Sequence, residues 1–214
     1  MRPCIVYMKN HNSGQTGFMA LKLDMSKVYD RIEWNYLQKL MEKMGFCSRW
    51  IGLIMECVCT TSYSILVNGE PKGFINPTWS IRQGDPLFPF LFLLCTEGLH
   101  GLITRAARAK EINGFSICKR GHKLTHLFFA NDNLLFCMEN PQECGNVLKI
   151  LAEYEEVLGQ KINKQKTSLF FSKSTKVDVK EEIKNMLGVN EIRSYERYLG
   201  LPSLVERGKK ASFN

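Results

Sequence analysis

The feature that most constrains this chain is the run His126 to Cys137, His-Leu-Phe-Phe-Ala-Asn-Asp-Asn-Leu-Leu-Phe-Cys, where an acidic triplet stands between two short apolar segments. Each segment has the length and the Phe and Leu content of a buried strand, and Asn-Asp-Asn tolerates the dihedrals of a tight turn. The expected product is a hairpin with a carboxylate at its tip. Most such tips are only turns, so a second acidic strand end is needed before this one becomes a site. It stands far upstream, in Phe18 to Asp24, Phe-Met-Ala-Leu-Lys-Leu-Asp. Alternation with period two sets Met19, Leu21 and Leu23 on one face and Ala20, Lys22 and Asp24 on the other. One face reads as core. The other ends in a carboxylate.

The rest of the chain supplies helices and further short strands. With 214 residues, 44% of them hydrophobic and 11% aromatic, it can bury the core of one domain, at most two. Met1 to Gly17 is polar, and Asn10 to Gly17 reads as a loop. Ser26 to Met44 is expected to be helical, with apolar residues recurring at three and four from Ile32 to Met44 and Gly45 closing it. Arg49 to Cys59 repeats the pattern. Ile65 and Val67, the turn Asn68 to Pro71, then Phe74 and Ile75 predict a hairpin. Asp85 as N-cap and Pro86 at the first helical position open a helix to about Lys110, whose basic end suits its dipole. A strand leads to the acidic hairpin. Pro141 starts a helix with Val147, Leu151, Tyr154 and Leu158 on one face, and Gly159 ends it. The basic loop Lys161 to Lys166 feeds a strand, Ser168 to Phe171. A short helix follows, Val177 to Leu187, closed by Gly188, and from Arg193 onward the chain is strand and tail. Helices alternating with hairpin-linked strands predict an α+β fold, a sheet with helices on one face. There is no internal repeat and no low-complexity segment.

The formal net charge of +8 favours a polyanionic partner. The eight cysteines form no C-x-x-C pair and stand near no histidine at zinc-finger spacing, which argues against a structural metal. Most sit in apolar runs, as reduced core thiols do, and a reducing intracellular compartment, nucleus or cytoplasm, is expected. The longest apolar run, Leu87 to Cys95, contains Pro89 and is too short to span a membrane. Met1 to Gly17 has no continuous apolar segment, so no secretory signal is expected.

Lys-Leu-Asp-Met-Ser-Lys-Val-Tyr-Asp-Arg-Ile-Glu-Trp (Lys22 to Trp34) resembles motif A of the reverse transcriptases of LINE-type, non-LTR retrotransposons, particularly those of plants. Arg-Gln-Gly-Asp-Pro-Leu (Arg82 to Leu87) resembles motif B, and Phe-Ala-Asn-Asp (Phe129 to Asp132) motif C. Gly159 to Thr167 is similar to motif D, and Tyr-Leu-Gly-Leu-Pro (Tyr198 to Pro202) to motif E. The motifs stand in family order and cover nearly the whole chain. Maturases and RNA-dependent RNA polymerases share this fold, but Lys-x-Asp-Met-Ser-Lys together with Tyr-Leu-Gly-Leu-Pro points to the retroelement branch.

The resemblance implies the palm of the right-hand polymerase fold over 18–203, an antiparallel sheet whose bare face receives primer and template. Residues 1–17 would be a remnant of the fingers connection and 204–214 a tail before the thumb, with fingers and thumb largely absent. It implies RNA-directed DNA polymerase chemistry on an RNA template, a DNA primer and deoxynucleoside triphosphates, using two Mg²⁺ ions held by carboxylates on adjacent strands. Asp24 would supply the first carboxylate and Asp132 the third, while Asn131 occupies the position of the second. A unit charge about 4 Å from a dication, at an effective dielectric near 20, is worth roughly 8 kcal/mol before desolvation. A quarter of that slows a step by more than tenfold, so this copy is expected to be catalytically crippled.

Further roles follow from the same resemblance. Tyr29 would close on the sugar and exclude a 2′ hydroxyl, or else be a core tyrosine. Gln83 and Gly84 would contact the nascent base pair, and Arg82 a phosphate. Phe88 replaces the serine usual in this lineage. Lys166 would protonate the departing pyrophosphate, a plain solvated lysine being the alternative. Tyr198, Leu199 and Gly200 would form the primer grip, although a terminal hairpin would look the same. Two other readings stay open: a non-catalytic nucleic-acid-binding remnant, and a gene fragment that is never expressed.

Overall fold

In the computed structural model, residues 17–24, 32–79, 86–116, 121–129, 132–158, 162–189, 197–198 and 201–202 are described. The strands are β1 (Phe18–Asp24), β2 (Tyr63–Val67), β3 (Glu70–Ile75), β4 (Phe115–Ser116), β5 (Lys123–Leu124), β6 (His126–Phe129), β7 (Asp132–Met138), β8 (Ser168–Phe171), β9 (Arg197–Tyr198) and β10 (Leu201–Pro202). The helices are α1 (Trp34–Lys43), α2 (Ser48–Cys59), α3 (Phe88–Arg108), α4 (Pro141–Leu158) and α5 (Val177–Leu187). This is the α+β class expected from the sequence. The chain divides into two units: one holds β1, β4 to β8 and α5, the other α1, α2 and the β2–β3 hairpin.

The first unit is built on a four-stranded sheet in the order β6-β7-β1-β8, with every pair antiparallel. β1 is central, paired edge to edge with β7 and β8; its Met19, Leu21 and Leu23 face is apolar throughout, and its other face is apolar only at Phe18 and Ala20. Met19, Leu21 and Leu23 are buried on one face, as the alternation predicts, together with Leu135, Cys137, Leu169 and Phe171. α4 and α5 pack there. Cys137 feels the charge of Glu143 on α4, and Lys180 of α5 lies 5.4 Å over the Phe171 ring.

The opposite face differs from the bare surface that the resemblance implied. Near the start of β1, Ala20, Leu134, Phe136 and Phe170 form a second cluster with Phe115 of β4, and Phe18 and Leu124 pack against it. The cover is local because β4 and β5 are two residues each. Toward the end of β1 the face opens, and Lys22 and Asp24 are only half-buried.

A buried carboxylate ties this unit together. Glu143, in the first turn of α4, accepts from the Asn113 backbone N–H (2.9 Å), the Asn113 side-chain amide (2.9 Å) and the Met138 N–H (3.1 Å). Its own N–H donates to Asn140 Oδ1 at 2.7 Å, which caps the helix. Asn140-Pro141-Gln142-Glu143 is a capping-box sequence, but the glutamate is turned outward to hold two other segments.

The second unit has its own core, made by Ile32, Leu37 and Met41, by Ile51, Ile54 and Val58 of α2, and by Leu91 and Cys95 of α3. The hydroxyls of Tyr36 (3.3 Å) and Tyr154 (3.2 Å) both donate to the Cys95 carbonyl. Gly98, one turn further along α3, makes this possible, since a Cβ there would collide with the Tyr36 hydroxyl.

Three boundaries depart from expectation. Ile32 and Glu33 are not helical, and α1 starts at Trp34 after an extended Glu33; Ser26 to Arg31 lie outside the described residues. The amides of Phe90 and Leu91 both bond to the Leu87 carbonyl, so α3 starts at Phe88 and Pro86 stands in the preceding turn. The β2–β3 turn is two residues long, Asn68 (φ 53°) and Gly69 (φ 83°), which puts Glu70 and Pro71 in β3. The stretch Pro89–Arg108 of α3 is long and apolar enough to cross a membrane, which the shorter run Leu87 to Cys95 did not suggest. Its buried residues Leu91, Cys95, Leu99, Ile103 and Ala106 recur at helical spacing, as in a core helix.

Candidate active site

The two acidic strand ends meet. β1 and β7 run antiparallel with Lys22 opposite Leu134, Leu23 opposite Asn133 and Asp24 opposite Asp132. Directly opposed residues of an antiparallel pair share a face of the sheet, with Cα atoms roughly 4.5–5.5 Å apart. Over a hundred positions of sequence separation are thus closed by strand pairing alone. Asp132 is the first residue of β7 and not the middle of a turn, and β6 returns beside it with Phe129 opposite Asp132.

A cation reaches the same place from the other side of β1. Where β8 pairs with β1, Lys22 lies opposite Ser168. Carried two residues further, that register brings Lys166 level with Asp24, and its ammonium lies 3.9 Å from Asp24 Oδ2. The backbone that presents Lys166 is tightly held. Asn163 accepts at its carbonyl from the N–H groups of Lys166 (3.2 Å) and Thr167 (3.0 Å) and from the Thr167 hydroxyl (2.9 Å), and its side chain accepts from Gln165 N–H at 3.1 Å. The Asp24 side chain is 23% exposed and that of Lys166 59%, so the carboxylate is sheltered while the lysine has room to swing.

Of the residues singled out by sequence, Asp24, Asp132 and Lys166 are brought together. Tyr198 pairs with Leu201, and Arg197 with Pro202, in the short β9–β10 hairpin. Tyr29, Arg82, Gln83, Gly84, Asn131, Leu199 and Gly200 lie outside the described residues. Asn133, a turn residue by type, is the second residue of β7. It is wholly buried on the helix-covered face, and neither amide atom has a hydrogen-bond partner among the described residues. Its signal in the sequence was positional: it is the residue after the acid, where the apolar run should already have begun.

Among the described residues no cluster of three or more His, Cys, Asp or Glu is poised to hold a metal. What is present is a sheltered carboxylate already attracting a cation, with a second aspartate opposite it in the ladder. Such hard oxygen donors suit a small divalent ion.

The sheet is antiparallel, with two aspartates opposed at one end of its central strands. The family model described as Reverse transcriptase (RNA-dependent DNA polymerase) matches residues 3–200, and the chain belongs to that family. Among similar proteins, an uncharacterized mitochondrial protein of Arabidopsis thaliana is 41% identical over 75 residues, 35% of this chain and 62% of that protein. The Xenopus laevis protein called transposon TX1 uncharacterized 149 kDa protein is 24% identical over 175 residues, 78% of this chain and 12% of that one. A retrovirus-related Pol polyprotein from the type-1 retrotransposable element R2 of Popillia japonica is 26% identical over 160 residues, covering 75% and 25%. The resemblance drawn from motifs A to E is borne out: the chain is a reverse transcriptase domain of the non-LTR retrotransposon type. It spans less than two thirds of the length of each of these relatives.

Proposed function

We propose that the four-stranded sheet is a polymerase palm and that Asp24 and Asp132 are its metal-holding pair, in a domain descended from an RNA-directed DNA polymerase and weakened by Asn131. The observation that carries this reading is the Asp24–Asp132 register. Divalent ions, Mg²⁺ by preference, would supply the charge that stabilises the attacking and leaving oxygens of an in-line phosphoryl transfer. The protein's part is placement. Asp24, on the central strand and flanked by β7 and β8, presents a fixed carboxylate at the open end of the face. Lys166 offers a proton donor on a long stem within reach of Asp24, where a departing pyrophosphate would need one.

The remaining roles are proposed on motif position. Tyr29 screens the sugar, Arg82 meets phosphate, Gln83 and Gly84 meet the nascent pair, and Tyr198, Leu199 and Gly200 grip the primer. RNA template, DNA primer and deoxynucleoside triphosphates are the substrates, and the palm spans 18–203. The alternative, a nucleic-acid-binding remnant without catalysis, draws on the +8 charge and on Asn131.

Primer extension separates the two. In a chain carrying its flanking family segments, Asn131→Asp should raise Mg²⁺-dependent extension by at least tenfold, and Asp24→Asn in that background should abolish the gain. Equal activity of the parent and the Asn131→Asp variant removes the claim of a crippled site. Salt-dependent binding to an RNA:DNA hybrid without extension by either form favours the remnant.

A further inference from the structure

Asp24 has a charged neighbour on each side of its strand. Asp132 stands opposite on β7, and the Lys166 ammonium comes from the segment before β8 at 3.9 Å. Asp24 and Lys166 thus form an ion pair, with Asp132 across the ladder.

We infer that Lys166 is a built-in competitor for the cation: its ammonium occupies the Asp24 carboxylate and must swing away before a divalent ion can bind there. This rests on the reading of Asp24 as a metal ligand and adds the element that regulates it. The local build suits the role. The backbone at Lys166 is pinned by Asn163, which roots the side chain beside Asp24, while the exposed ammonium is held only by a weak ion pair. A positive charge about 5 Å from a dication, near bulk dielectric and at physiological salt, weakens binding by about five- to tenfold.

The test is Mn²⁺ binding to the full 214-residue chain, read at fixed pH from the loss of the free-ion paramagnetic resonance signal, with far-ultraviolet circular dichroism as the check on folding. Lys166→Met should bind Mn²⁺ about five- to tenfold more tightly than the parent, and Lys166→Arg, which keeps the charge, should bind no more tightly than the parent. Adding Asp24→Asn to Lys166→Met should erase the gain. A folded Lys166→Met chain that binds Mn²⁺ no better than the parent, or not at all, overturns the inference. If the gain survives Asp24→Asn, the ion is held elsewhere and the assignment of Asp24 fails with it. If Asp24→Asn abolishes binding but Lys166→Met gains nothing, only the competition is refuted.

Discussion

Asn133 gives the most direct test of how the β6–β7 hairpin is held. It is 0% exposed, both its amide nitrogen and oxygen lack a hydrogen-bond partner among the described residues, and it lies opposite Leu23 on β1 and Phe128 on β6. An unsatisfied buried amide costs about 1–3 kcal/mol. Leucine keeps the heavy-atom branching of asparagine but carries bulkier methyl groups, so Asn133→Leu removes that cost without opening a cavity, offset in part by the packing cost of its extra volume. The expected gain in unfolding free energy is about 1–3 kcal/mol, and for a chain of this size each kcal/mol lifts the thermal midpoint by roughly 2–4 °C. Urea unfolding followed by circular dichroism, with an unchanged m-value, measures it. Asn133→Asp is the opposing control: a carboxylate in the same apolar site should destabilise by about 3 kcal/mol or more, or remain protonated. A leucine variant no more stable than the parent, with the aspartate tolerated, would mean that the amide is hydrated or paired and that the reasoning is wrong.

Two other predictions concern the scaffold. Glu143→Ala leaves the backbone N–H groups of Asn113 and Met138 without their acceptor, and should cost about 2–5 kcal/mol, read by urea unfolding and by faster amide exchange at those two positions. The thiols should divide by burial: Cys47, Cys57 and Cys59 react with a thiol reagent in the native state, while Cys95, Cys137 and Cys144 react only after unfolding. Burial pushes the Cys95 thiol up to about 12, and burial with the charge of Glu182 pushes Cys144 up to about 11, from the ordinary 9.0. The folded state therefore keeps protons that the unfolded state releases above pH 9. The stability these thiols contribute is whole below pH 9 and falls as pH rises toward 11 and 12, at about 1.4 kcal/mol per thiol per pH unit. A flat stability profile between pH 9 and 11 would contradict it.

Local features of the fold were legible because they depend on local periodicity. β1, β8 and α5 begin and end where alternation, aromatic content and the closing Gly188 predict. Val147, Leu151 and Tyr154 are buried as their spacing requires. What failed was local chemistry read without tertiary context. Asn133 looked like a turn residue by type and is a strand residue by pairing, because the ladder with Leu23 extends to Asp132. Pro86 looked like a helix start, but Leu87 supplies the first accepting carbonyl. The meeting of Asp24 with Asp132 and Lys166 is of another kind. No periodicity couples positions so distant; two acidic strand ends suggest the first pair and the motif resemblance assigns it, while the ion pair with Lys166 depends on the β1–β8 register.

That register is in turn a consequence of the core. A slip of one residue in β1 would turn Met19, Leu21 and Leu23 out of the helix-covered face and send Asp24 into it, burying a carboxylate among apolar side chains. A slip of two would keep the faces but place Lys22 where Asp24 stands opposite Asp132, and would strip two rungs from the ladder. The stripe of three buried side chains therefore fixes the carboxylate as firmly as any contact the carboxylate makes itself. Damage to that stripe should accordingly be felt at Asp24 first, at the end of the strand where the ladder has fewest rungs left to hold it.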